Sequence, residues 1–257
     1  MEISMKKNKG ILLFCVFLLV ILAGLSGSWI YHKNRQQKTP DEIILIEEEK
    51  TRIAYQENLL YASEMRKECD FVVVLNPAHG GMDTGAQNPY GMEKDITLAI
   101  CEQVIAANTD GKLGIFLTRD DDVAMEKEMR MAFLEEIQPD LFIDIHVNDK
   151  DIVLNSYGTT VYYDTGYYNR KLSNMEFADI MEKSVVTAVE GFACGIYEVQ
   201  NEEMNILQSL TIPSVSIACG YLSNEKEGVL LTMDGYQKNL AKGILQGIKE
   251  ARTALEE

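Results

Sequence analysis

His79 and His146 are two of only three histidines in this 257-residue chain, and each follows a short run of apolar and β-branched residues. Neutral imidazoles at strand ends are a common way for a protein to offer nitrogen to a metal. Phe71-Val72-Val73-Val74-Leu75 reads as a buried strand, and Pro77-Ala78-His79-Gly80-Gly81 reads as the loop that leaves His79 at the sheet's edge. Leu141-Phe142-Ile143-Asp144-Ile145-His146 repeats the pattern. Two histidines alone fit a pair of hydrogen-bonded core residues equally well, so a third ligand has to decide. Glu93 is the candidate. It opens the helical run that continues through Ile96-Thr97-Leu98-Ala99-Ile100, where an acidic first turn also complements the helix dipole.

Five segments then occur in order: Asn76-Pro77-Ala78-His79-Gly80-Gly81-Met82-Asp83-Thr84-Gly85-Ala86, Glu93-Lys94-Asp95, Leu117-Thr118-Arg119-Asp120, Asp140-Leu141-Phe142-Ile143-Asp144-Ile145-His146-Val147-Asn148, and Gly220-Tyr221-Leu222-Ser223-Asn224. Together they resemble the zinc-dependent N-acetylmuramoyl-L-alanine amidases of the bacterial cell wall, from Phe71 to Thr253. The resemblance implies that His79, Glu93 and His146 bind zinc. Two imidazoles and one carboxylate leave an open position on a tetrahedral ion, the arrangement of a catalytic rather than a structural site. Water there is acidified toward neutral pH and can attack an amide carbonyl. By the same resemblance the substrate is peptidoglycan, and the scissile bond joins the lactyl group of N-acetylmuramic acid to the first alanine of the stem peptide.

One part of the family's pattern is missing. Aligning Pro213 to Asn224 on the family's Pro-x-x-Leu-Val-Glu-x-Gly-Phe-x-Ser-Asn sets Ala218 where the resemblance implies a glutamate that shuttles the proton from water to leaving amine. An arginine often found a few residues earlier corresponds to Gln208, whereas Arg130 does match the family. A positioned acid or base contributes about 10²–10⁴ in rate, roughly 2.7–5.4 kcal/mol, so zinc alone implies slow hydrolysis. Asp144 stands where the family commonly has serine. On a strand it shares a face with His146, about 6.6–6.8 Å along, near enough to replace the lost base or to hold the imidazole from behind. A different class of function also fits: a silent relative that binds zinc and muropeptide and positions other wall proteins.

The elements that carry these residues alternate. Strands are expected at Phe71–Asn76, Ile115–Arg119, Leu141–Val147, Gly158–Asp164 and Ser214–Gly220, and helices near Glu93–Ala107, Val123–Ile137, Asn174–Val189 and Asp234–Thr253. This is an α/β fold, a largely parallel twisted sheet with helices on both faces. Cys69, Cys101, Cys194 and Cys219 suffice for two disulfides in three pairings, and Cys219 faces away from Ala218 on its strand.

Ahead of this domain, residues 11–30 carry no charge and are long enough to span a bilayer as a helix, after a ten-residue tail. Lysines lie on both sides of the span, so charge does not orient it, but a wall-cutting domain belongs outside. A cleaved signal peptide at Ser26-Gly27-Ser28 is the alternative, although the apolar run exceeds a normal signal core. Residues 31–69 form a charged linker, with Ile46, Ile53 and Leu60 at heptad spacing that fits a spacer helix or a self-associating one. Residues 1–40 carry +5 and the remainder −21 of the net −16. Such an acidic domain excludes nucleic acid as a partner.

Overall fold

The computed structural model describes residues 38–149, 156–167, 169–199 and 206–257. The expected membrane span or signal peptide at residues 11–30 lies outside them. Among the described residues no helix is long and apolar enough to cross a membrane.

Among the described residues the α-helices and β-strands run in the order α1 (Pro40–Met65), β1 (Phe71–Pro77), α2 (Glu93–Ala107), β2 (Leu113–Leu117), α3 (Lys127–Ile137), β3 (Leu141–Asn148), β4 (Thr159–Tyr163), α4 (Asn174–Val189), β5 (Ala193–Glu198), β6 (Ser214–Tyr221), α5 (Glu225–Leu231) and α6 (Asp234–Glu256). The strands form one six-stranded sheet in the order β2-β1-β3-β6-β4-β5. Every pair is parallel except β4 with β6, which is antiparallel. β1 is buried at all seven positions, as a parallel strand covered on both sides must be.

One face of the sheet carries Val73, Leu75, Ile143, Ile145, Val215 and Ile217 and packs against apolar stripes of α2, α4 and α6. Gly243 and Gly247 let α6 approach α4 closely, since a Cβ on Gly247 would stand 2.4 Å from the Met181 sulfur. The other face carries Val72, Val74 and Phe142 beneath Phe133, Leu134 and Ile137 of α3 and Ala62 of α1. From Glu49 onward α1 belongs to the same compact unit as the sheet. Buried Asn58 fixes it there by donating to the carbonyls of Leu117 and Thr118. Ile46, Ile53 and Leu60 are exposed on this helix.

Two elements escaped the sequence reading. β5 is an edge strand whose residues are half-buried or exposed, so it lacks the apolar run that marks a buried strand. α5 is seven residues long, capped by the Asn224 side chain accepting from the N–H groups of Lys226 and Glu227. The helix expected from Val123 begins only at Lys127. All four described cysteines are free thiols, so the expected disulfides do not form among the described residues. Cys101 and Cys219 are buried in the apolar core, and Cys219 does lie on the face opposite His146.

Candidate metal centre

β1 feeds α2 and β2 on one side and is flanked by β3 on the other, so the chain reverses its direction across the sheet at β1. Such switch points open a crevice beyond the carboxyl ends of the strands. His79 lies in the loop after β1, and His146 lies near the end of β3. The loop turns sharply: His79 itself has φ +61°, and Gly80, Gly81 and Gly85 also have positive φ. Gly80 is required there, because a Cβ on it would sit 2.1 Å from the Val123 carbonyl oxygen. Buried Arg119 ties the loop down by donating to the carbonyls of Pro77, Ala78 and Lys94.

Glu93 opens α2 and is 4% exposed. Its Oε1 accepts the Val147 N–H and its Oε2 the Ala86 N–H, each at 2.9 Å, which pins the carboxylate between the loop and the end of β3. Oε2 lies 3.1 Å from His79 Nε2 and Oε1 lies 3.1 Å from His146 Nδ1. One donor atom from each of the three residues thus falls within 4.8 Å of the others. The rings meet edge to face, 5.6 Å between centroids.

Each imidazole is held from behind by an aspartate. Asp83 Oδ2 is 2.8 Å from His79 Nδ1, and Asp144 Oδ2 is 3.0 Å from His146 Nε2. Burial opposes a charged His146, but Asp144 and Glu93 outweigh it and push the imidazole up to about 10. His79 is raised in the same way, by Glu93 and Asp83 against burial. Burial would raise Glu93, yet the two imidazoles hold its carboxyl well below the usual range. Carboxylate support behind metal-binding histidines is the usual outer arrangement of a zinc site. The donor set of two nitrogens and one carboxylate oxygen, with both rings oriented from behind, fits a zinc ion.

Ala218 on β6 is the direct neighbour of His146 and, on its other side, of Thr160. It is buried and brings no ionisable group to the site. Asp144 touches the ring nitrogen of His146 that faces away from Glu93. Gln208 is exposed in a short 3₁₀ turn. Sequence reasoning gave no role to Asp83, which follows His79 by four residues in an irregular loop where no periodicity reports direction, nor to Gly85, whose need for a missing side chain appears only in three dimensions.

Comparison with known proteins matches residues 73–250 to the N-acetylmuramoyl-L-alanine amidase family. The catalytic domain of CwlV, an N-acetylmuramoyl-L-alanine amidase from Bacillus (Paenibacillus) polymyxa var. colistinus, is 30% identical with a TM-score of 0.63, over 72% of this chain and 99% of that one. The CwlD amidase of Clostridioides difficile, solved in complex with the GerS lipoprotein, is 27% identical with a TM-score of 0.62 over similar shares, 72% and 99%. The germination-specific N-acetylmuramoyl-L-alanine amidase of Bacillus subtilis (strain 168) is 26% identical over 193 residues, 69% of this chain and 78% of that protein. With the strand-end histidines, the intervening glutamate and the sheet that brings them together, this places the chain in the N-acetylmuramoyl-L-alanine amidase family of hydrolases.

Proposed function

We propose that the chain is a zinc-dependent peptidoglycan hydrolase that cleaves the amide between the lactyl group of N-acetylmuramic acid and L-alanine, and that it does so slowly. The observation that carries this reading is the convergence of His79, Glu93 and His146 within 4.8 Å. A zinc ion, when bound, supplies a polarised carbonyl and a water acidified toward neutral pH. His79 and His146 hold it through nitrogens oriented by Asp83 and Asp144, and Glu93 contributes an oxygen. Asp144 serves to orient His146 rather than to replace the missing base, because it engages the ring nitrogen remote from Glu93.

Slowness follows from Ala218. Its methyl group cannot take a proton from water or return one to the leaving amine, a loss of about 10²–10⁴ in rate. The same observation favours a second reading, a zinc- and muropeptide-binding homologue without turnover that positions other wall proteins. The uncharged run at residues 11–30 supports a site of action outside the membrane, either tethered or after signal cleavage.

The test is zinc content together with release of stem peptides from purified wall by the full-length chain, beside Ala218→Glu. Slow release that stops on chelation and rises in the variant supports the hydrolase. Bound zinc with no release supports the silent binder, and absence of zinc contradicts both.

A further inference from the structure

Asn76 is the penultimate residue of β1 and is 3% exposed. Its side-chain oxygen accepts from the Thr118 hydroxyl at 2.5 Å and from the Arg130 guanidinium. With two donors on its oxygen, the amide must turn its NH₂ the other way, and Nδ2 donates to Asp144 Oδ1 at 2.6 Å. Asn76 and Asp144 are direct neighbours across β1 and β3, so this contact is set by the register of the sheet.

Asp144 has then used Oδ1, and Oδ2 is the oxygen that meets His146 Nε2. A carboxylate only accepts, so the Nε2 that meets Asp144 keeps its hydrogen; Nδ1 also faces a carboxylate, that of Glu93, but on the side where the donor atoms of His79 and Glu93 converge, so it is the nitrogen free to exchange its hydrogen for an ion. Nδ1 is the atom turned toward Glu93. His79 is set the opposite way, with Nδ1 against Asp83 and Nε2 inward. The two supports also differ in setting: the Asp83 side chain is 63% exposed and the Asp144 side chain 5%. Water solvates the first. The second needs a cation, since a buried unpaired carboxylate is costly, and Asn76 is the bridge between Asp144 and half-buried Arg130.

We infer that Asn76 is a positioning residue of the metal centre: the string Arg130, Asn76, Asp144 fixes the ring nitrogen that His146 presents to the ion. This rests on the zinc reading above. It adds that His146 coordinates through Nδ1 and His79 through Nε2, and that the choice at His146 is made two residues away from the metal.

The test uses the full-length chain, with zinc affinity measured against a chromophoric chelator and folding checked by thermal unfolding on the same samples. Asn76→Asp keeps the acceptors for Thr118 and Arg130 but turns the donor facing Asp144 into a second carboxylate. Zinc affinity is expected to fall by about 10–100-fold. In an Asp144→Asn background the same change is expected to cost much less, because the carboxylate it acts through is gone. Should Asn76→Asp fail to fold, Thr118→Val removes one donor from the Asn76 oxygen and is expected to weaken zinc in the same direction.

In the zinc-loaded protein, nitrogen NMR of the histidine rings is expected to show His146 bound through Nδ1 and protonated at Nε2. Coordination of His146 through Nε2, zinc affinity unmoved in folded Asn76→Asp, or fully additive losses in the double variant would each overturn the inference while leaving the zinc reading intact. A wild-type chain that binds no zinc overturns both.

Discussion

Gly85 stands against His79 so closely that a Cβ on it would lie 2.5 Å from Cδ2 of the imidazole; the same atom would come 2.6 Å from Oε2 of Glu93. The space in which two ligands meet exists because residue 85 has no side chain, and its φ of +60° asks for glycine as well. Gly85→Ala is expected to lower zinc affinity by about tenfold or more by displacing both ligands, and to cost about 1–3 kcal/mol of stability through the strained backbone. Chelator competition and thermal unfolding measure the two effects separately. Wild-type zinc affinity in the variant would show that the ligands meet elsewhere.

Asp144→Ala separates holding from proton transfer. If Asp144 only orients His146, the variant binds zinc about 10–100-fold more weakly, while turnover at saturating zinc stays near the wild-type rate. A base in that position would instead cost a further 10²–10⁴ or so at saturating zinc. Stem-peptide release measured across a zinc titration distinguishes the two.

Ala218→Glu puts a carboxylate on the strand position beside His146. Release of stem peptides is expected to rise, by up to about 10²–10⁴ where the new side chain reaches the water. Zinc affinity is expected to change little, because position 218 supplies no ligand. A variant that binds zinc but cuts no faster would locate the limitation elsewhere in the site.

Zinc binding is expected to tighten as pH rises through the neutral range. In the metal-free protein His146 is pushed up to about 10, so its ring holds a proton at neutral pH that zinc must displace, and the upward shift of His79 acts in the same direction. The sign is fixed: fewer protons to displace at higher pH means stronger binding. Calorimetry in buffers of different ionisation enthalpy measures the protons released, and a value of zero at pH 7 would contradict this electrostatic picture.

Glu227 provides a control away from the zinc ligands. Its carboxylate accepts the N–H groups of Gly158 and Tyr221, which ties the start of β4 to the end of β6, and burial pushes its carboxyl up. Glu227→Ala leaves two donors without their partner and is expected to cost about 1–3 kcal/mol, seen as a lower Tm at unchanged zinc affinity. A loss of zinc with no change in Tm would reverse that assignment.

Much of this arrangement is legible in the amino-acid sequence itself. Phe71 to Leu75 and Leu141 to Ile145 are β-branched and apolar enough to be recognised as buried strands, and their position just ahead of His79 and His146 already brings the two imidazoles to one edge. β5 was hidden because Ala193 to Glu198 is half-exposed and carries no apolar run, and α5 because seven residues hold too few turns to show a period. The outer contacts were hidden for a different reason. Asp83 faces His79 because of positive φ angles in the loop, and Asn76 faces Asp144 because of the register between β1 and β3. Neither relation leaves a local trace in the sequence.

X-ray absorption at the zinc edge of the full-length chain, alongside its His79→Ala, Glu93→Ala and His146→Ala variants, tests the central claim most directly. The expected result is one zinc per wild-type chain, bound by two imidazole nitrogens at about 2.0–2.1 Å and a carboxylate oxygen at about 2.0–2.2 Å, with one of these signals lost in each variant. A wild-type chain without zinc, or zinc whose surroundings are unchanged in all three variants, would contradict the account.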